Sequence, residues 1–147
     1  EDAFKKIFNT SSIFISRGDD SGTHFKEMSI WTKAELKPRQ FSGSWYREVG
    51  SGMGATLNLA SGMGGYTITD RASWVNFSNK NDLKIVTEKN KLLFNQYGIT
   101  MVNPLKCPNT NSNDAKKFIN WLISPKGQDK IKNFKVKNQQ LFFPNAN

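Results

Sequence analysis

The segment 13–24 places the tightest limits on what this chain can fold into, because a strand, a polar loop and a helix start follow one another without a break. Its first three residues, Ile-Phe-Ile, form a short apolar run typical of a buried strand, and Ser21 or Thr23 can begin the helix that comes next. The loop between them therefore lies at the carboxyl end of a strand. In open α/β sheets that end is where ligands bind.

The same loop carries the hydrogen-bond donors that an oxyanion requires. Arg17 supplies a planar fork of N–H groups, Ser21 and Thr23 supply hydroxyls, and Gly18 and Gly22 allow close approach to the backbone. The first N–H groups of a helix also lack intrahelical acceptors and lie at the positive end of the helix dipole. The sequence thus predicts an oxyanion site. The alternative is an ordinary helix cap, with Arg17 paired to a neighbouring aspartate and no ligand.

Two carboxylates in the loop must be accommodated beside such a ligand. Asp19 and Asp20 would repel an anion if both pointed inward, so we expect one to orient Arg17 from behind the site. The other is expected to face solvent or to cap a backbone N–H.

Tyr66 and Thr67 could support the site through their hydroxyls if their predicted strand borders the cleft, although a Thr-rich strand is common without any ligand.

Several motifs in fixed order carry a resemblance to a known family. The pattern Arg-x-Asp-x-Ser-Gly-Thr at residues 17–23 looks like the anion loop of phosphate-type periplasmic binding proteins. The longer series comprises Ser16–His24, Trp45-Tyr46, Gly52–Leu57, and Tyr66–Arg71 followed by Trp74. From about Phe14 to Phe143 the chain resembles the tungstate-binding component of ABC-type tungstate uptake systems.

The resemblance implies an α/β fold with parts of two lobes. One lobe is like that of type II periplasmic binding proteins, in which helices flank a mixed sheet, and the other lobe contributes only its carboxyl-terminal helices. The resemblance divides the chain into a crossover helix or linker at 1–11, a second lobe with the anion loop at 12–98, and a return crossover with the carboxyl-terminal helices of the first lobe at 99–147. In the ligand shell, Arg17 and Thr23 would be side-chain donors, with Ser21 and Gly22 as neighbours through a hydroxyl or a backbone N–H. The ligand would be tungstate or molybdate, and neither a metal site nor a cofactor is expected.

The function that the resemblance implies is capture of an oxyanion for a membrane permease, without catalysis. The location would be periplasmic, or extracytoplasmic with a membrane anchor. The chain is expected to be a fragment without most of the first lobe, to bind its ligand weakly or undetectably by itself, and to be capable of self-association through exposed helix faces. Phosphate is the alternative ligand: it retains a proton that an inward carboxylate can accept, whereas tungstate favours a site with donors only.

Charge and composition allow a different class of function. The chain has 21 Lys and Arg against 12 Asp and Glu, a formal net charge of +9, which is compatible with a basic nucleic-acid-binding or interaction module. The lysines are dispersed, however, and no nucleic-acid-binding motif is present, so we expect no nucleic-acid partner.

The lone His24, near Asp19 and Ser21, is a poor basis for a catalytic triad and is expected to cap or pack. A single cysteine, Cys107, excludes an internal disulfide.

The pattern of apolar residues and helix caps predicts alternating strands and helices, as in an α/β layer. The predicted helices are Asp2–Phe8, Gly22–Glu35, Met53–Ala60 stopped by Gly62, a turn after Asp70, and two helices that start at Asp114 and at Ser124-Pro125. The predicted strands are Ile13–Ser16, Tyr66–Thr69, Leu83–Thr87 and Leu92–Val102, with Leu141–Phe143 as a strand or docking segment. Trp45–Gly50 is predicted as a loop or helical turn, and Asp70 with Arg71 as a structural pair.

Overall fold

The computed structural model describes residues 1–146, and the chain divides into two compact units, Glu1–Phe94 and Asn95–Asn147. The first unit contains α1 (Asp2–Asn9), β1 (Phe14–Ser16), α2 (Gly22–Lys33), β2 (Tyr46–Glu48), α3 (Met53–Met63) and α4 (Arg71–Asn76), with 3-10 turns at Pro38–Phe41 and Lys91–Leu93. The second contains α5 (Ser112–Ile123), α6 (Pro125–Asn133), β3 (Lys135–Val136) and β4 (Gln139–Gln140).

The first unit is organised around two parallel strands. In β1 and β2, Phe14 lies opposite Tyr46 and Ser16 lies opposite Glu48. A single parallel bridge joins Phe14 to Tyr66 on the other side of β1. All three residues of β1 are buried, as expected for a strand covered on both faces. Since β1 and β2 are parallel, their carboxyl ends reach the same edge, and the helices α2 and α3 begin after that edge.

An aromatic core holds these elements together. It is formed by one residue of α1, one of β1, one of α2 and two at the start of β2: Ile7, Phe14, Trp31, Trp45 and Tyr46. The Trp31 ring meets Phe4 of α1 edge to face, with 4.4 Å between the ring centroids. Such pairs add about 0.5–1.5 kcal/mol to the free energy gained from buried area. The amino-terminal helix is therefore an integral part of the first unit.

Helix ends follow their sequence signals. Asp70 accepts a hydrogen bond from the Ser73 N–H at 2.8 Å and thereby caps α4. Gly64 ends α3 in the left-handed conformation, with φ +60°, and its N–H donates to the Ala60 carbonyl. Glycine adopts this conformation without a Cβ clash, so the helix stops there and not at Gly62.

The second unit pairs two helices with a hairpin. Ser124 ends α5 and caps α6, where it accepts from the Gly127 N–H at 3.2 Å and precedes a proline at the first helical position. The strands β3 and β4 are antiparallel, and the two turn residues Lys137 and Asn138 both have positive φ. That pair of backbone angles is typical of a tight two-residue hairpin. Aromatic side chains remain half exposed on α5, at Phe118 and Trp121.

The structure confirms the α/β character and the helices predicted from Asp2, Gly22, Met53, Asp70 and Ser124. The helix predicted from Asp114 begins earlier, at Ser112, because Asn111 acts as its cap. The helix predicted at Met53–Ala60 extends to Met63, because Gly62 continues it.

Four segments differ in local structure from the prediction, namely 45–50, 66–69, 83–87 and 92–102. Trp45–Gly50 contains β2, since Tyr46 is drawn into the core beside Phe14. Tyr66–Thr69 makes only one bridge, and 83–87 and 92–102 form no strands, because their apolar side chains, among them Val86 and Val102, remain exposed. Leu141–Phe143, predicted as a strand or docking segment, forms no strand, but Leu141 is buried, as a docking segment requires.

Asp70 and Arg71, predicted as a structural pair, do not pair with each other. Asp70 uses its carboxylate to cap α4, and Arg71 pairs with Glu88 at 2.5 Å. The division of the chain into lobes at residues 12–98 and 99–147 stays a prediction. Within residues 1–146, no helix has both the length and the apolar character that crossing a bilayer demands.

Candidate oxyanion site

The start of the loop after β1 is anchored to the β2 side of the unit. The Ser16 carbonyl accepts from the Val49 N–H at 3.0 Å, and the Arg17 carbonyl accepts from the Gly50 N–H at 2.8 Å. Gly18 has φ +59°, and a Cβ at this position would lie 2.9 Å from the Glu48 Cβ. Only glycine satisfies both the backbone angle and the close approach, so the loop is held tightly against β2.

Asp19 organises the loop from within. One of its carboxylate oxygens pairs with the Arg17 guanidinium, and the other accepts from the Ser21 N–H at 3.2 Å. Hydrogen bonding by Ser21, together with the adjacent Arg17 guanidinium, lowers the pKa of Asp19 to about 2. This carboxylate is therefore ionised at neutral pH, and both of its oxygens are already engaged.

Asp20 takes the other role expected for an acidic residue in the loop. Its side chain is 83% exposed, so this carboxylate faces solvent. Its backbone has φ +55°, and its N–H donates to His24 Nδ1 at 3.0 Å. The two aspartates thus divide as predicted, one behind Arg17 and one toward water.

Several donors of the loop have no acceptor within residues 1–146. The Arg17 Nε is buried and unpartnered in this part of the chain, and the Gly22 and Thr23 N–H groups belong to the first turn of α2, where no intrahelical acceptor exists. Ser21 caps the helix by accepting from the His24 N–H at 3.3 Å, which leaves its hydroxyl hydrogen available. The sequence-predicted residues Arg17, Ser21, Gly22 and Thr23 are thus brought together on one loop and helix start.

Tyr66 and Thr67, which were predicted to support the site through their hydroxyls, differ in their contacts. Thr67 donates its hydroxyl to the Ile15 carbonyl at 2.8 Å and therefore supports β1 just before the loop. Tyr66 pairs with β1 through its backbone, donating to the Ile13 carbonyl and accepting from the Ile15 N–H, each at 2.8 Å, and its side chain is 42% exposed. A direct role of either residue toward a ligand stays a prediction.

A buried carboxylate beneath the loop was not predicted from the sequence. Glu27 of α2 is fully buried and accepts hydrogen bonds from Ser16, Tyr46 and Trp31 at 2.7, 2.7 and 3.0 Å. Burial raises the pKa of Glu27, and the three hydrogen bonds partly oppose that effect. Burial, with the nearby Glu27 charge, also raises the pKa of the Tyr46 hydroxyl. The sequence feature that could have indicated a buried Glu27 is its position four residues before Trp31, which places both side chains on the same face of α2.

The donor set favours anions over cations. Within residues 1–146, the unpartnered groups at the start of α2 and on Arg17 are N–H and O–H donors, whereas Asp19 is held by Arg17 and Ser21 and the Asp20 carboxylate faces solvent. Across the same described residues, no three His, Cys, Asp or Glu side chains lie together as a metal site would require. The arrangement can hold a small oxyanion by hydrogen bonds.

Known proteins with similar sequences and structures bind tungstate. The chain is 43% identical over 146 residues to a tungstate-binding protein of Peptoclostridium acidaminophilum, covering 98% of this chain and 50% of that protein. The structure is similar to a tungstate-binding protein of Desulfovibrio alaskensis, with a TM-score of 0.86, 42% identity, and coverage of 99% of this chain and 60% of that one. A tungstate ABC transporter structure from Geobacter sulfurreducens has a TM-score of 0.77 and 40% identity, with coverage of 90% and 55%.

These similarities confirm the resemblance to tungstate-binding proteins. The chain spans about half the length of the curated relatives that it matches. A family model described as a PBP superfamily domain matches residues 1–126, most of the chain. The chain therefore belongs to the PBP superfamily.

Proposed function

We propose that this chain forms part of an oxyanion-binding protein that captures tungstate, or molybdate, for uptake through an ABC permease. The observation that carries the proposal is the set of unpartnered donors at residues 17–23, comprising the Arg17 Nε and the Gly22 and Thr23 N–H groups. A guanidinium and a helix amino terminus together match the charge and the hydrogen-bond needs of a small dianion. The names of the similar proteins point to the same ligand.

The state of Asp19 favours tungstate over phosphate. A protonated phosphate oxygen needs an acceptor, and a carboxylate with an open lone pair would provide one. Both Asp19 oxygens accept from donors of the loop itself, Arg17 and Ser21, so a phosphate hydroxyl would have to share this carboxylate with them. Tungstate and molybdate carry no proton near neutral pH and need donors only, whereas phosphate also needs an acceptor for its hydroxyl.

The proposed role is capture outside the cytoplasm and not catalysis. In the whole protein, two lobes would each donate hydrogen bonds to the same anion. The closed arrangement of the lobes would then bind the anion more tightly than the open one, and a permease would recognise the closed arrangement. The net charge of +9 would increase the rate at which anions reach the loop.

The test is an NMR titration of the 15N-labelled chain with tungstate, molybdate, sulfate and phosphate at slightly alkaline pH, up to millimolar ligand so that weak binding is measured. We expect saturable shifts at the Gly22 and Thr23 amides and at the Arg17 Nε, with tungstate and molybdate bound more tightly than phosphate. Tighter binding of phosphate would overturn the ligand assignment. No saturable shift at residues 17–23 with any of the four anions would overturn the function.

Two substitutions make the titration specific to the site. Arg17→Ala should weaken tungstate binding about tenfold to a hundredfold, because a hydrogen bond to a charged group contributes about 1.5–3 kcal/mol. Arg71→Ala removes the same charge from an arginine paired elsewhere, with Glu88, and should leave binding unchanged. Equal losses in both variants would indicate nonspecific attraction by the basic surface, as in the nucleic-acid alternative.

A further inference from the structure

The side chain of His24 lies behind the anion loop and contacts it directly. It is buried, with 2% exposure, in the first turn of α2. Its Nδ1 accepts from the Asp20 N–H at 3.0 Å, and its Nε2 lies 3.2 Å from the Arg39 guanidinium. Arg39 in turn donates to Glu48 at 3.0 Å, next to the Gly18 contact. The imidazole therefore connects the middle of the loop to the end of β2.

Only one of the two ring contacts can be a hydrogen bond to a neutral imidazole. A neutral ring has a single acceptor nitrogen, while the Asp20 N–H and the Arg39 guanidinium both only donate. The one acceptor that the described residues place beside Nδ1, the Asp20 carboxylate oxygen, lies farther away, at 3.4 Å, and belongs to a side chain that is 83% exposed to water. The Asp20 N–H is fixed in place by the backbone between Asp19 and Ser21. The Arg39 side chain is 53% exposed and already donates its Nε to Glu48, so its other N–H groups can turn to water. These contacts favour Nδ1 as the acceptor and place the ring proton on Nε2.

The Asp20 hydrogen bond stabilises an unfavourable backbone. Asp20 has φ +55°, a conformation that costs a residue with a side chain free energy unless the surroundings hold it. Asp20 lies between the residue that pairs with Arg17 and the residue that caps α2. If Asp20 rotated out of this conformation, Asp19 and Ser21 would move apart. The Arg17 guanidinium, which Asp19 holds, would then shift relative to the Thr23 N–H at the start of α2.

We propose that His24 is a positioning residue for the oxyanion site, which acts through Nδ1 by holding Asp20 in the left-handed conformation and thereby aligning the donors of residues 17–23. The proposal rests on the proposed function, because it concerns the same ligand. It does not require His24 to touch the anion.

The two ring nitrogens can be distinguished by isosteric substitution. In His24→Asn the amide oxygen takes the place of Nδ1, and in His24→Gln the amide takes the place of Nε2. We expect His24→Asn to bind tungstate within about twofold of the unaltered chain. His24→Gln should bind roughly fivefold to tenfold more weakly, because the half-buried Asp20 N–H loses its acceptor and the loop donors lose their alignment. Equal affinity in both variants, or the opposite order, would overturn the proposal.

A measurement on the unaltered chain keeps the proposal testable if either variant fails to fold. His24 is the sole histidine, so its two ring nitrogens give unambiguous signals in a long-range 15N–1H correlation spectrum. We expect a protonated Nε2 and an unprotonated, hydrogen-bonded Nδ1 at slightly alkaline pH. A proton on Nδ1 would contradict the proposal, whereas failure of the unaltered chain to bind any of the four oxyanions would count against the proposed function instead.

Discussion

The Ser16 hydroxyl donates a 2.7 Å hydrogen bond to the Glu27 carboxylate, and both residues are fully buried. Ser16 is the last residue of β1 and immediately precedes Arg17, while Glu27 lies in α2. Tyr46, the first residue of β2, donates to the same carboxylate. One buried acidic group thus joins the three elements that position the anion loop.

The pH dependence of stability should report on Glu27. Because burial raises the pKa of Glu27 above its ordinary value of 4.5, the folded chain binds this proton more tightly than the unfolded chain. Its contribution to stability is complete below pH 4.5 and is lost as pH rises through the folded-state pKa. We expect Glu27→Gln, which cannot ionise, to diminish this fall in the free energy of unfolding, measured with urea across that pH range. The exposed Glu35→Gln should retain it, and identical pH profiles for all three proteins would contradict the assignment.

Loss of one donor to Glu27 should destabilise the first unit. Ser16→Ala and Tyr46→Phe each remove one hydrogen bond to the buried carboxylate, and each is expected to cost about 1.5–3 kcal/mol. Urea unfolding followed by tryptophan fluorescence would measure these costs, since Trp31 lies in the same cluster. Ser29→Ala removes an exposed hydroxyl of the same helix and should cost less than about 0.5 kcal/mol. A cost as small for Ser16→Ala would show that the buried bond contributes little.

Two glycines with the same backbone angle should differ in their tolerance of alanine. Gly64 and Gly18 have φ +60° and +59°, but a Cβ on Gly64 would meet nothing within 4 Å, whereas one on Gly18 would lie 2.9 Å from the Glu48 Cβ. Gly64→Ala should therefore cost about 1–2 kcal/mol from backbone strain alone. Gly18→Ala should cost about 1–3 kcal/mol more from steric overlap. Equal free energies of unfolding for the two variants would mean that the loop is not held tightly against β2.

The junction between α5 and α6 should be equally intolerant of a larger residue. A Cβ on Gly127 would lie 2.2 Å from the Trp121 carbonyl oxygen and 2.7 Å from that of Leu122. Because both contacts are with backbone, relief requires the helices to separate, and we expect Gly127→Ala to cost at least about 2 kcal/mol. Amide hydrogen exchange in α5 and α6 would detect the loss. Gly98→Ala, with open space around its Cβ, is the control, and unchanged protection in Gly127→Ala would refute the expectation.

Local signals in the sequence were sufficient for most helices and for the position of the loop at 17–21 between β1 and α2. Ser124 followed by Pro125 and Asp70 followed by Ser73 act through hydrogen bonds that span three residues, so the sequence alone specifies them. The division of labour between Asp19 and Asp20 was also predictable, because one charge beside Arg17 is stabilising and two facing an anion are not.

Tertiary contacts decided what the sequence left ambiguous. Tyr46 pairs as a strand because its ring packs beside Phe14, a contact across 32 residues that no local pattern reveals. The apolar run 92–102 has strand-like composition but lacks a paired neighbour, so its backbone stays irregular. The roles of Glu27 and His24 likewise depend on partners brought together by the fold.

The hydrogen bonds of Asp19 to Arg17 and Ser21 are made within the loop itself, so its shape does not wait for a ligand. A receptor that is already rigid loses little conformational entropy on association. An arriving dianion would displace only water, and association would be limited by diffusion into a positive field. Differences in affinity among oxyanions should then be found mainly in how long each one stays.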